Sequence, residues 1–336
     1  MTRPDRPLES AEDHLIAKYF RPLAKHPGAL GLLDDAAVLT PPAGCDLVLT
    51  KDALVAGVHF FADDPPSAIA RKALRVNLSD LAAKGAIPAG FLLALALPED
   101  VTEPWLKAFA DGLGADADVY ACPLLGGDTV KTPGPLMVSI TALGSVPHGS
   151  MVRRSGARAG DRVFVTGSIG DAALGLALCR DGDAARRWKL DAKLRDYLTD
   201  RYLLPRPRNA LAEALRAHAS AAMDVSDGLV GDFGKLCAAS SVSAEIDVMR
   251  VPLSGAARAA LAVDPTLIET ILTGGDDYEI VCTMGEREAE GFRAAAIATG
   301  VAVTEIGRIV PGEAAPGFVG ADRRPLTFAQ ASFSHF

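Results

Sequence analysis

The chain has 336 residues, 49% hydrophobic and 23% charged, which is enough to bury a sizeable core and more than one domain usually holds, so two lobes are expected. A formal charge of −8 argues against a general nucleic-acid surface, which relies on clustered Lys and Arg, although Arg153, Arg154 and Arg158 can still meet a small phosphate ligand. The longest apolar run, Ala86 to Pro98, is about a dozen residues against the roughly 20 of a spanning helix, so it reads as a buried strand and no membrane span is expected.

Met1 to Ala11 carries charges and two prolines with no apolar stretch like that of a signal peptide, so nothing points to export. Cys45, Cys122, Cys179, Cys237 and Cys282 are widely spaced and contain no C-x-x-C pair, which suits reduced thiols in a cytoplasmic protein. Apolar periodicity predicts helices over 11–25, 65–84, 100–115, 207–220 and 284–299, and β-type runs over 46–50, 90–97, 135–146, 161–166, 278–283 and 301–309. The chain is therefore mixed α and β. The polar, Gly- and Arg-rich stretch Val146 to Gly160 can join two lobes, which puts a boundary near residue 150 and domains at 1–149 and 150–336.

Among nucleotide signatures, a P-loop is absent, and Gly112-Leu-Gly114-Ala-Asp-Ala117 follows a helix-like segment where a Rossmann turn would follow a strand. The chemistry-bearing segments are instead acidic. Leu33-Asp34-Asp35-Ala36 places two acids in a turn, where carboxylates often satisfy backbone N–H groups. In Asp46 to Asp52, strand alternation puts Thr50 and Asp52 on one face and Lys51 on the other; the plainer reading is a strand end. His59, in Gly57-Val58-His59-Phe60, has no second histidine at metal-ligand spacing and reads first as a satisfied, partly buried imidazole. Asn77 and Asp80 share a helix face, and Lys84, four residues beyond Asp80, offers it a surface partner as the plainer alternative.

Leu124-Leu125-Gly126-Gly127-Asp128-Thr129 ends an apolar run with two residues lacking a Cβ; a phosphate can approach such a backbone closely, though a plain turn has the same composition. Met223-Asp224-Val225-Ser226-Asp227-Gly228 is the most informative segment. An extended stretch aligns Asp224 with Ser226, and Asp227 can begin a helix around 228–239; an N-cap role would account for Asp227 and leave the other two unexplained. Leu272-Thr273-Gly274-Gly275-Asp276-Asp277-Tyr278-Glu279 again sets Gly-Gly before acids, with Tyr278 read as core. If these acids converged they would repel one another unless cations offset the charge. Magnesium, which takes hard oxygen ligands and bridges carboxylates to phosphates, is the natural candidate.

Taken together and in this order, these motifs with Arg154-Ser-Gly-Ala-Arg158-x-Gly160-Asp161 resemble the thiamine-monophosphate kinase family from about residue 30 onward. The resemblance implies a two-lobed α/β fold like that of aminoimidazole-ribonucleotide synthetase, with N-terminal sheets pairing across a homodimer. It implies an N-terminal domain for ATP, magnesium and dimerisation, and a C-terminal domain completing the site. It further implies Asp35, Thr50, Asp52, Asp80, Asp128, Asp224 and Asp227 as magnesium ligands, Gly127, Asp128, Arg154 and Ser226 near ATP, and His59, Asp276 and Phe333 facing thiamine monophosphate. The implied reaction moves the ATP γ-phosphoryl group onto an acceptor phosphate that is already ionised, so no strong general base is needed and no residue is assigned as one. Three positions depart from the family pattern: Leu33 for Gly, Lys51 for a small hydroxyl residue, and Asp276 for Glu. The competing expectations are another ATP-dependent enzyme of the same superfamily and a non-catalytic nucleotide-binding protein.

Overall fold

The computed structural model describes residues 10–333; the Met1–Ala11 stretch read above for an export signal lies almost entirely outside them. The chain divides into two compact units, residues 1–77 with 88–145, and residues 78–87 with 146–336.

The first unit carries four strands, β1 (Cys45–Val55), β2 (Ile87–Leu97), β3 (Leu124–Lys131) and β4 (Met137–Pro147), in the order β1-β4-β2-β3. β2 and β3 run parallel, and the helix Glu103–Val119 connects them. Gly112 to Ala117 lies inside that helix, so it is no nucleotide turn; a Cβ on Gly112 would stand 2.6 Å from the Ser67 carbonyl oxygen, which shows why glycine is there. Asp116 of this helix is buried against Arg71 and Arg75 of the helix Pro66–Ala83, with Arg71 Nε 3.0 Å from its Oδ1. The segment expected as one helix over 11–25 is an α-turn (Ala11–Leu15), a wider π-turn (Ile16–Phe20) and a 3-10 turn (Arg21–Leu23). Pro22, which lacks an N–H, fits that break.

The second unit holds β5 (Arg162–Thr166), β6 (Ala221–Val225), β7 (Ser243–Asp247), β8 (Glu279–Met284), β9 (Val303–Val310) and β10 (Gly317–Val319), in the order β10-β7-β9-β5-β8-β6. β10 is parallel to β7, while the other pairings are antiparallel. Its central strands are buried on both faces, which explains their unbroken apolar runs. Val163, Val165, Met223 and Val281 pack with the helices Asp171–Arg180, Leu229–Ser240, Gly255–Val263 and Leu267–Thr273. Their neighbours Phe164, Ala222, Ile280 and Cys282 pack on the opposite side with helices Ala212–His218 and Glu286–Thr299. Among the described residues no helix is long and apolar enough to cross a membrane. Burial pushes the Cys122 and Cys237 thiols up to about 12, so neither is a nucleophile at neutral pH.

Candidate active site

In the first unit, β1 alternates as its sequence requires. Val48 and Leu54 are buried, Thr50 and Asp52 are half-buried on that same side, and Leu47, Leu49 and Lys51 are exposed on the other. Lys51 Nζ donates to Ser139 Oγ at 2.9 Å, and that hydroxyl donates to the Asp52 carbonyl oxygen at 3.1 Å. The Lys51 ammonium is thus tied, through Ser139, to the backbone of Asp52. Beyond a tight turn at Gly57 (φ +81°), the Val55 N–H donates to His59 Nδ1 at 3.0 Å, so the neutral imidazole carries its proton on Nε2.

Asp34, Asp35, Gly126, Gly127, Asp128 and Thr129 line one cavity of about 590 Å³. The structure thereby brings Asp35 together with Gly127 and Asp128; Thr50, Asp52 and His59 do not line that cavity. Asp34 plays the local turn role, its Oδ1 accepting the Asp35 N–H at 2.8 Å. Leu33 has φ −112°, comfortable for any residue, so leucine at that position costs the backbone nothing. The Gly126–Thr129 segment is part of β3, where a turn was the plainer sequence reading. A Cβ on Gly127 would fall 1.8 Å from the Leu93 carbonyl oxygen, so pairing with β2 already demands glycine there.

In the second unit, Asp224 is buried on β6 and accepts from Ser79 Oγ at 2.9 Å through Oδ2. Burial, reinforced by the Asp80 carboxylate, holds Asp224 well above the usual carboxylate range. Lys84 donates to the Ala222 carbonyl oxygen at 2.8 Å, a tether that the expected Asp80–Lys84 surface pair did not include. Burial lowers the Lys84 pKa, Arg154 lowers it further, and Asp224 and Asp80 work against both. Arg154, Asp80 and Asp224 therefore act on a common neighbour.

The second cluster is built from backbone. β6 ends at Val225, and the Ser226 carbonyl oxygen accepts the Asp276 N–H at 2.7 Å, while the Val225 carbonyl oxygen accepts the Tyr278 N–H at 2.8 Å. The Phe333 N–H donates to the Asp227 carbonyl oxygen at 3.0 Å. Ser226, Asp227, Asp276 and Phe333 are thus joined. Gly275 (φ +74°) and Gly228 (φ +119°) permit the approach: Cβ atoms there would lie 2.4 Å from the Ser226 carbonyl oxygen and 2.6 Å from the Thr273 carbonyl group. Asp276 is itself left-handed at φ +63°, a conformation that aspartate tolerates better than most residues.

The N-cap reading of Asp227 is corrected: Gly228 occupies the N-cap of helix Leu229–Ser240 without a side-chain cap. The Asp227 carboxylate instead accepts from Lys235 Nζ at 2.7 Å. Sequence reasoning missed Lys235 and the buried Asp232, although their spacing of three on a helix following an acidic loop is a usable signal. It also missed the partners of Glu279, whose buried carboxylate accepts from Thr166 Oγ1 at 2.6 Å, from buried Arg201 at 3.0 Å and from Arg208.

Among the described residues, no three His, Cys, Asp or Glu side chains converge closely enough to hold a metal ion by themselves. Magnesium rarely asks for that, being held by one or two carboxylates with waters and substrate phosphates. The oxygen-only donor set, and the cost of keeping Asp224 ionised beside Asp80, fit a divalent cation.

Two family models match in succession: AIR synthase related protein, N-terminal domain, over residues 33–146, and AIR synthase related protein, C-terminal domain, over residues 158–318. The chain is 49% identical over 305 residues to thiamine-monophosphate kinase of Caulobacter vibrioides, covering 90% of this chain and 84% of that protein. It belongs to the thiamine-monophosphate kinase family. The crystal structure of thiamine-monophosphate kinase from Stenotrophomonas maltophilia superposes with a TM-score of 0.80 at 41% identity, over 91% of this chain and 94% of that one. AaThiL, complexed with AMPPCP and TMP, gives 0.75 at 31% identity, over 92% and 97%.

Proposed function

We propose that this chain transfers the γ-phosphoryl group of ATP to the phosphate of thiamine monophosphate, yielding thiamine diphosphate and ADP. The observation that carries the reading is the pair of backbone-locked acidic loops at Asp224–Gly228 and Gly274–Tyr278, a rigid set of oxygen donors suited to phosphates and their cations. The AMPPCP and TMP bound by AaThiL support it.

Magnesium, when bound, would supply positive charge to the phosphate oxygens, and the residues proposed to hold it are Asp35, Thr50, Asp52, Asp80, Asp128, Asp224 and Asp227. Gly127, Asp128, Arg154 and Ser226 bind ATP in this reading, with the Arg154 guanidinium offsetting phosphate charge. His59, Asp276 and Phe333 orient thiamine monophosphate. The acceptor's ionised oxygens need no general base, so alignment and charge compensation carry the rate. The division of labour between a 1–149 ATP, magnesium and dimerisation domain and a 150–336 completing domain belongs to the same proposal. So does a homodimer formed through the first sheet, supported by apolar side chains left on it: Leu49, Leu92 and Val130 are 63%, 40% and 48% exposed. A cytoplasmic location completes the reading.

Incubation with ATP, magnesium and thiamine monophosphate is expected to give thiamine diphosphate and ADP in equal amounts. Asp52→Asn and Asp227→Asn are each expected to lower kcat by about a hundredfold or more while leaving the circular dichroism spectrum unchanged. ATP turnover without thiamine diphosphate would assign a different acceptor, and near-normal rates in both variants would defeat the ligand assignment.

A further inference from the structure

The helix Leu229–Ser240 begins directly after the Ser226–Asp227 loop, and its Asp232 and Lys235 share one face three residues apart. Asp232 Oδ2 accepts two backbone bonds, from the N–H of Ser226 at 2.9 Å and of Asp227 at 2.8 Å. Its Oδ1 accepts from Lys235 Nζ at 2.9 Å. The same ammonium donates to Asp227 Oδ2 at 2.7 Å. These bonds close a ring in which the backbone and the side chain of Asp227 are both tied to one helix. The Asp232 side chain is buried, whereas those of Lys235 and Asp227 keep 43% and 34% of their surface, so the ammonium has room to turn from Asp227 toward solvent while keeping its bond to Asp232.

We propose that Lys235 is a resident counter-cation for the Asp227 carboxylate, holding Oδ2 when magnesium is absent and giving it up when the metal binds, so that Lys235 sets how much magnesium the protein requires. The inference rests on Asp227 being a metal ligand in the proposed function. An ammonium and a divalent ion compete for one carboxylate oxygen and repel each other when close. Removing the ammonium therefore frees the oxygen and deletes a repulsive charge, while the two backbone bonds to Asp232 keep the loop in place. A purely structural role would have the opposite consequence, because a loosened Asp227 would bind metal less well.

The test is a titration of Mn²⁺ into the full-length protein with ADP present, following free Mn²⁺ by its paramagnetic resonance signal. Lys235→Met, and Lys235→Gln should the first variant not fold, is expected to bind Mn²⁺ about threefold more tightly or better, the scale of one partly exposed charge pair. Lys235→Arg keeps the charge and is expected to stay near the unaltered value. Equal or weaker binding in the neutral variants overturns the proposal, as does equal tightening in Lys235→Arg. Turnover is not read in this titration, so absence of thiamine diphosphate formation would count against the reaction alone. Mn²⁺ binding insensitive to Asp227→Asn would overturn the ligand assignment and the counter-cation role together.

Discussion

The backbone N–H of Gly170 lies 2.9 Å from both carboxylate oxygens of Asp277, a side chain that is almost wholly buried. Burial is the larger influence and raises the Asp277 pKa well above the usual carboxylate range; the Gly170 N–H and Arg201 work in the other direction. A carboxyl with a raised folded-state pKa contributes stability that is complete below its unfolded value, about 3.9, and is lost as pH rises through the folded value. Asn at this position keeps an acceptor for Gly170 and has no proton to lose. Asp277→Asn is therefore expected to gain stability relative to the unaltered protein as pH is raised from about 4 to 8, measured by urea unfolding at each pH. A difference that stays flat across that range would show that Asp277 ionises in the folded state as readily as in the unfolded chain, so that burial does not raise its pKa. Residue types in the acidic motifs were legible in the sequence, but their partners were not. Asp227 reads as a helix cap until Gly228 takes that position and Lys235 takes the carboxylate, a pairing fixed by how the loop re-enters the helix.

Two loops, Val225–Gly228 and Thr273–Tyr278, form a locked element because their backbones touch where side chains would not fit. Gly275→Ala is expected to destabilise by about 1–3 kcal/mol through its left-handed backbone and the clash with Ser226, and to lower kcat with it. Gly234 supplies the contrast. It lies within helix Leu229–Ser240 with open space where a Cβ would stand, so Gly234→Ala is expected to add about 0.5–1 kcal/mol, read by the same denaturant titration. Opposite signs from the same substitution would separate conformational entropy from steric demand. The elements carrying clear periodicity were visible in sequence, including Pro66–Ala83, Glu103–Val119 and Glu286–Thr299. Ala192–Leu203 was not, because it buries Arg201 beside Leu198 and Tyr202 and so breaks the apolar stripe that a reader counts. β3 was hidden for a related reason: Gly126-Gly127-Asp128 looks like a turn, and only the close approach to Leu93 explains a glycine within a strand.

At the scale of the whole molecule, the two-lobed α/β expectation agrees with the two successive family models and the two sheets. Sequence composition carried that much, since alternating helices and strands over this length leave few layered solutions. It could not carry the strand orders, which depend on contacts far apart along the chain. If the first sheet is the surface on which two copies pair, sedimentation of the unaltered protein gives a dimer, and Leu49→Asp on its exposed apolar side shifts it toward monomer with folding retained. A monomeric unaltered protein would move the dimer surface off the table.

The order β1-β4-β2-β3 also has a consequence in time. β1 is an edge strand whose only sheet neighbour among the described residues is β4, and roughly eighty residues separate Val55 from Met137. At about 5–20 residues per second, a ribosome takes several seconds to deliver that partner. During that interval β1 emerges with no strand to pair with and with Val48 and Leu54, buried in the finished fold, still uncovered, which leaves this segment open to unwanted pairing while the protein is being made.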